Sequence, residues 1–557
     1  MTYFDDIAME ETKKYLTALP PNHGKRPRDI KDDLRKLVYD RLQVENALLP
    51  KNQHTKMPSN LLNSQIAEII LHTQPVVNVA CAGMDADPEL DLLCIYQSTG
   101  PDMGLYSANK NVIGNLIEEF NYNAGSKNIS EVISILRRRA PRMERTIDRD
   151  LIPVNNGVFH YVSKQLLPFS KDYIFLAKTR VDYVDNPVNP VIHNPIDSTD
   201  WDFESWMEET FPDAEVRQLM WEIIGAILRP FVPWNKAALF YSPMGNNGKG
   251  TLCQMFRNLA GPGTSVSISL ADLGKDFMLE QLIRANCIIT DENDCGLFVD
   301  KAANLKEIIT NDMLMINRKH KTAISFRFYG FMVQCLNEMP RIKDKSDSLF
   351  RRLLFIPFTE CFTGRERKYI KSNYLNRPEV LQYVLNKALN MSYYELSTPT
   401  VCVEALNAYK SYNDTVRTFA EEIVPQLQWD LVPYSFLYAL YKAWYAKNSS
   451  GTVQGRNTFI EDFRNLIRSG AFPEWYVRDD DAQIRTKNLM DKPEVLICEY
   501  DIKEWMNPAY VGNDFKKKAL PLLKKKYKGI LRHNPKCGET PEVADDSDDY
   551  DDNDDVA

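Results

Sequence analysis

The sequence predicts an α/β protein built on an open sheet, and three observations carry that reading. An apolar run ending at Tyr241 passes directly into the Gly/Asn-rich turn S-P-M-G-N-N-G, after which Lys249 stands where a helix would begin. Apolar, strand-like runs at 286–290, 328–336 and 353–358 each adjoin acidic, amide or basic residues, and the ends of such strands are where an open sheet collects ligands. Stretches with apolar residues at helical spacing, such as Leu34, Leu37, Val38 and Leu42, supply the helices.

In chain order, residues 28–48 and 57–72 read as helices with core-facing stripes, and the Pro/Gly/Lys-rich segment at 20–28 as a loop. Residues 1–90 thus form a mostly helical N-terminal region. Residues 91–198 read as a mixed α/β accessory region, with strand-like runs at 92–96 and 104–106 and a helix over 112–120. Its basic run, Arg137, Arg138, Arg139, Arg142 and Arg145, fits a charged helix face better than a DNA contact. From 199 to 235, Phe203, Met207, Leu219, Trp221, Ile224 and Leu228 recur at helical spacing until Pro230 ends the pattern. Residues 236–375 hold the loop and the sheet-forming runs. Residues 376–535 read as helices followed by strands, with Phe436, Leu437, Leu440, Tyr441 and Trp444 as core. A cationic stretch from Lys516 to Arg532 closes that region, and residues 536–557 form an acidic tail expected to be disordered.

A chain of 557 residues, 44% of them hydrophobic, is long enough for several cores. The net charge of -8 does not exclude nucleic acid, because residues 539–557 carry ten acids and no base and leave the remainder near +2. The ten cysteines form no C-x-x-C pair, which points to reduced thiols rather than a zinc ribbon or a disulfide framework. The start lacks a hydrophobic export segment and no apolar run approaches spanning length, so a cytoplasmic protein without a membrane partner is expected.

The loop of Gly245, Asn246, Asn247, Gly248, Lys249, Gly250 and Thr251 has the chemistry of a phosphate cradle. Glycines let successive backbone N–H groups converge on an anion, and the Lys249 amine neutralises charge that develops in phosphoryl transfer. The pattern G-x-x-x-x-G-K-[ST] would place its first glycine at Pro243 and its hydroxyl at Gly250, so Thr251 is the candidate for the metal-binding hydroxyl. Asp291 and Glu292 follow the 286–290 run. Such a pair can divide the work of holding the water shell of Mg²⁺ and polarising an attacking water. Asn337 could orient that water, and Arg351 or Arg352 could clamp transition-state charge. Between alternating runs, N-R-K-H-K at 317–321 suggests two strands around a basic tip. Arg318, Lys319, His320 and Lys321 there would grip phosphates without reading bases.

Lys249, Asp291, Asn337 and Arg351 follow one another at separations of 42, 46 and 14 positions. This compact order resembles the superfamily 3 helicases of small viruses, phages and plasmids. The chain is similar to the helicase portion of phage/plasmid and poxvirus-type primase-helicases over about residues 90–530, through V-N-N-G-V-F at 154–159, N-N-G-K-G-T at 246–251, L-K-E-I-I-T-N-D at 305–312, L-N-E-M-P at 336–340 and F-R-R-L-L-F-I-P-F at 350–358. The resemblance implies an AAA+-like P-loop ATPase core at 236–375, a helical collar at 199–235, a pre-helicase accessory domain at 91–198 and a winged-helix-like C-terminal domain. It also implies ATP and Mg²⁺ as cofactors, with Lys249 on the β/γ-phosphates, Asp291 and Thr251 on the metal side, Glu292 as general base and Asn337 as sensor. Arg351 or Arg352 would act across the interface of a homo-oligomer, normally a hexamer. The 317–321 hairpin would move 3′ to 5′ along single-stranded and forked DNA in the cytoplasm of a bacterial host. The first ninety residues hold no acid triad of a primase, so priming would fall to a separate protein. Two other classes stay open: a DNA-packaging or remodelling ATPase, which would not need the hairpin, and a non-catalytic replication-initiation protein, should the departures at Pro243 and Gly250 abolish ATP binding.

Overall fold

The computed structural model describes residues 3–20, 24–81, 83–195, 197–319, 321–448, 453–480 and 482–533. The chain divides between Leu406 and Asn407 into two compact units. The acidic segment at 536–557 lies outside the described residues.

The first unit opens with the helices Tyr3–Ala18, Pro27–Ala47 and Asn63–Thr73. In the second of these Ile30, Leu34, Val38 and Leu42 are buried at four-residue spacing, whereas Leu37 falls off the stripe and is exposed. A four-stranded sheet follows, ordered Tyr106–Ser107, Leu92–Tyr96, Val76–Val79, Arg142–Met143. Val76–Val79 pairs antiparallel with Leu92–Tyr96 and parallel with Arg142–Met143, so this sheet runs across position 90. Of the basic run, Arg137, Arg138 and Arg139 are exposed in the last turn of the helix Ser126–Arg139, and Arg142 and Arg145 are taken up by packing. Arg142 donates to both carboxylate oxygens of Asp91 (2.6 and 3.1 Å), Arg139 pairs with Glu68, and Arg145 lies over the Tyr329 ring.

The helices Phe203–Thr210 and Ala214–Leu228 come next, the second buried from Leu219 through Leu228 on every side. A helix apolar all round must be enclosed. It packs in one core with the helices Lys249–Ala260 and Pro378–Asn390 and with the central sheet. That sheet has five parallel strands in the order Ser265–Val266, Cys287–Thr290, Phe331–Leu336, Ala237–Tyr241, Leu353–Pro357. Its central strands are covered on both faces, which is why they read as continuous apolar runs rather than as alternation. All five C-terminal ends point to one edge. The phosphate-loop candidate, the Asp291 and Glu292 pair and Asn337 therefore emerge side by side.

In the second unit the helices Thr415–Ile423, Tyr434–Asn448 and Arg456–Arg468 enclose an aromatic core. Phe436, Leu437, Leu440, Tyr441 and Trp444 are all buried there. A three-stranded antiparallel sheet, ordered Leu431–Pro433, Gly529–Arg532, Trp475–Tyr476, closes one side. Arg532, the last member of the cationic stretch, is buried. Its guanidinium donates to Asp430 and Glu474 (2.9 Å each) and to the Leu427 carbonyl (3.1 Å), so it is a packing residue. Among the described residues, no helix is long and apolar enough to cross a membrane.

Candidate nucleotide site and basic hairpin

The loop between the strand Ala237–Tyr241 and the helix Lys249–Ala260 depends on two left-handed residues, Asn246 at φ 52° and Gly248 at φ 86°. Gly248 caps the helix, and there the positive φ makes glycine the cheapest residue. A second chain segment braces the turn: the Phe362 N–H donates to the Asn246 carbonyl (2.8 Å), and the Asn246 side chain donates to Glu366 (3.0 Å) and Thr363 (3.3 Å). Asn247 is buried and its side-chain oxygen accepts from the Lys249 N–H at 3.4 Å.

Lys249 is 7% exposed. Its ammonium donates to the Leu336 carbonyl (2.8 Å), the Asn337 side-chain oxygen (2.8 Å) and the Ser242 carbonyl (3.2 Å). Burial holds its pKa below the ordinary lysine value, while Cys335, Cys253 and Glu292 oppose that shift. Lys249 and Asn337, 88 positions apart in sequence, are thus in direct contact at the C-terminal edge of the sheet. The strand ends are held by buried polar contacts. Asn293 donates to Gln334 (3.0 Å) and to the Cys335 carbonyl (3.1 Å), and Gln334 donates to the Ile268 carbonyl (3.0 Å).

Asp291 is engaged rather than open. Both its oxygens accept from Arg257, at 2.8 and 3.0 Å, in the two-pronged geometry that suits a guanidinium and a carboxylate. Arg257 lies two turns along the helix that Lys249 begins, a spacing that sequence motifs do not mark. The position expected to supply a metal-side acid is therefore occupied by an ion pair, while Glu292 is exposed. Among the described residues, no three His, Cys, Asp or Glu side chains gather as a metal cage. A magnesium ion brought by a nucleotide needs few protein oxygens, since phosphates and water fill most of its shell. Thr251 lies in the first turn of the helix.

The two candidate arginines differ. Arg352 donates to the Ser348 carbonyl and, at 2.7 Å, to the Ser348 hydroxyl, so it is folded back on its own turn. Arg351, at the end of the short helix Asp347–Phe350, is exposed. The basic segment forms a hairpin of Met313–Arg318 and Lys321–Arg327, with Met313 opposite Arg327, Ile316 opposite Ile324 and Arg318 opposite Lys321. The register shifts between Ile316 and Arg318. Leu314, Ile316, Ile324 and Phe326 are buried, which pins one face of the hairpin and leaves Lys319 at the turn. His320 lies outside the described residues.

Three family models match the chain. Residues 91–212 match a model described as D5 N terminal like, residues 240–352 match a family of unknown function (DUF5906), and residues 411–505 match a poxvirus D5 protein-like model. A protein named by inference as helicase 121R, from Invertebrate iridescent virus 3, is 23% identical over 359 residues, covering 57% of this chain and 37% of that protein. The match therefore spans little more than a third of that curated relative's length. Apo structures of the NrS-1 C-terminal region align at 14–15% identity, one with TM-score 0.40 over 79% of this chain and 90% of that one, another with 0.42 over 84% and 98%.

Proposed function

We propose that the chain, which matches D5 N terminal like and poxvirus D5 protein-like models over parts of its length, is a poxvirus D5-like helicase-primase family member related to viral primase-helicases and works as an ATP-dependent DNA helicase. The observation that carries this reading is the buried Lys249 ammonium, set at the end of a turn with two left-handed residues and joined to Asn337 at the C-terminal edge of a parallel sheet. An isolated buried ammonium is costly unless carbonyls or anions face it, and an open helix start above it invites phosphate. The strand order, with the Lys249 strand between those that carry Asn337 and follow Arg352, supports an AAA+-like P-loop core over 236–375. The three helices and small antiparallel sheet of the second unit support a winged-helix-like role in holding DNA.

In this reading Lys249 and the loop amides hold the β- and γ-phosphates. Glu292 accepts the proton of the attacking water, and Asn337 fixes that water and registers the γ-phosphate through its contact with Lys249. Asp291 acts through Arg257, which ties the end of its strand to the phosphate helix. A bound Mg²⁺, held on the protein side by Thr251, would supply charge neutralisation on the phosphates. Arg351 completes the site from a neighbouring copy in a hexameric ring, and the hairpin tip carries the stroke to single-stranded DNA, moving 3′ to 5′.

Lys249→Ala is expected to lose ATP binding, whereas Glu292→Gln should retain it and hydrolyse at least about a hundredfold more slowly, the usual range for removing a general base. Nucleotide titration and steady-state phosphate release check both. Wild-type turnover in either variant would contradict the site.

A further inference from the structure

At position 250, where the commoner phosphate loop carries a hydroxyl side chain, this chain has glycine, and another lysine stands next to the space. A Cβ built on Gly250 would meet the Lys371 ammonium nitrogen at 3.4 Å, its nearest neighbour outside the loop and helix backbone. Lys371 lies on the short helix Lys368–Ser372, beyond the last strand of the central sheet.

The chain around Lys371 is fastened to the phosphate loop on one side and to the phosphate helix on the other. Before it, Phe362, Thr363 and Glu366 hold Asn246 by backbone and side-chain hydrogen bonds. After it, Asn258, two turns along the phosphate helix from Gly250, donates to the Leu375 carbonyl (3.0 Å) and the Asn376 side chain (2.6 Å). The ammonium between these anchors is exposed, and none of the described residues pairs with it. Lys249, by contrast, is buried and satisfied by two carbonyls and Asn337.

Two ammonium groups therefore attend the start of one helix, where the backbone dipole is already positive. A polyphosphate at that helix start would meet both positive side chains. A side chain at 250 would stand in contact with the Lys371 ammonium, so the glycine leaves the approach to that ammonium open.

Resting on the nucleotide-site reading above, we propose that Lys371 is a second phosphate-contacting residue of this site, with its ammonium standing beside Gly250 at the start of the phosphate helix. The ligand is the polyphosphate of a nucleoside triphosphate.

The test titrates the full chain with a fluorescent ATP analogue and follows thermal melting without nucleotide, for wild type, Lys371→Gln, Lys371→Glu and Lys249→Ala. Loss of a charge-assisted contact should weaken binding about tenfold in Lys371→Gln. Lys371→Glu should weaken it further, because the reversed charge repels the phosphates, and neither variant should change the melting temperature of the ligand-free protein. Wild-type affinity in both variants beside a defective Lys249→Ala would overturn the role of Lys371 and leave the site standing. Equal losses in the two variants, accompanied by lowered melting temperatures, would make Lys371 a packing residue instead. Failure of the wild type to bind the analogue would overturn the site itself.

Discussion

Arg351 and Arg352 are adjacent in sequence and opposite in circumstance. The guanidinium of Arg352 is bonded to Ser348, and that of Arg351 is exposed at the end of a short helix. Arg351 is accordingly the one proposed to act across an interface. Arg351→Ala should therefore lower ATP turnover on the order of a thousandfold, as loss of a transition-state arginine does, and mixing it with Lys249→Ala should restore part of the activity through interfaces with both halves intact. Phosphate-release assays on mixed subunits read this directly; no recovery despite demonstrated mixing would exclude a shared site. Lys249 and Asn337 were legible at this scale because each sits at a strand end with a recognisable turn. The Arg257 pairing with Asp291 was not, since a helical arginine eight positions after a loop lysine gains meaning only when the helix packs beside the neighbouring strand. Lys371 was hidden for the same reason.

The hairpin shows how alternation becomes geometry. Leu314, Ile316, Ile324 and Phe326 are buried while Met313, Met315 and Asn317 are exposed, and that two-residue period was visible in the sequence. The register shift between Ile316 and Arg318 was not visible, because one residue without a partner leaves no compositional mark. In the proposed mechanism this buried face anchors the hairpin while Lys319 at the turn meets DNA. Lys319→Ala should accordingly lower strand release severalfold while leaving ATP hydrolysis without DNA near the wild-type rate. Paired unwinding and hydrolysis assays decide it, and equal loss in both would place Lys319 in the ATP site's own machinery. The cationic stretch before the acidic tail gave a poorer guide, since Arg532 is committed to Asp430 and Glu474 rather than to solvent.

At the scale of the molecule, the sequence indicated an α/β chain with a loop-bearing core, but not how its pieces join. The first sheet combines strands from both sides of position 90, and the central sheet ends in the two-residue strand Ser265–Val266, too short to stand out from a loop. Strand order is a long-range property, fixed by which crossovers pack, and local pattern does not encode it. The candidate nucleotide residues gather at the C-terminal edge of the central sheet, while the basic hairpin enters the same sheet at the start of the Phe331–Leu336 strand, so in the proposed mechanism that strand links the two. The decisive measurement is strand release from forked DNA bearing a 3′ or a 5′ single-stranded tail, in ATP and Mg²⁺. The account predicts ATP-dependent opening of the 3′-tailed fork in preference to the 5′-tailed one, abolished by Lys249→Ala. Vigorous ATP hydrolysis with no strand release from either fork would contradict it.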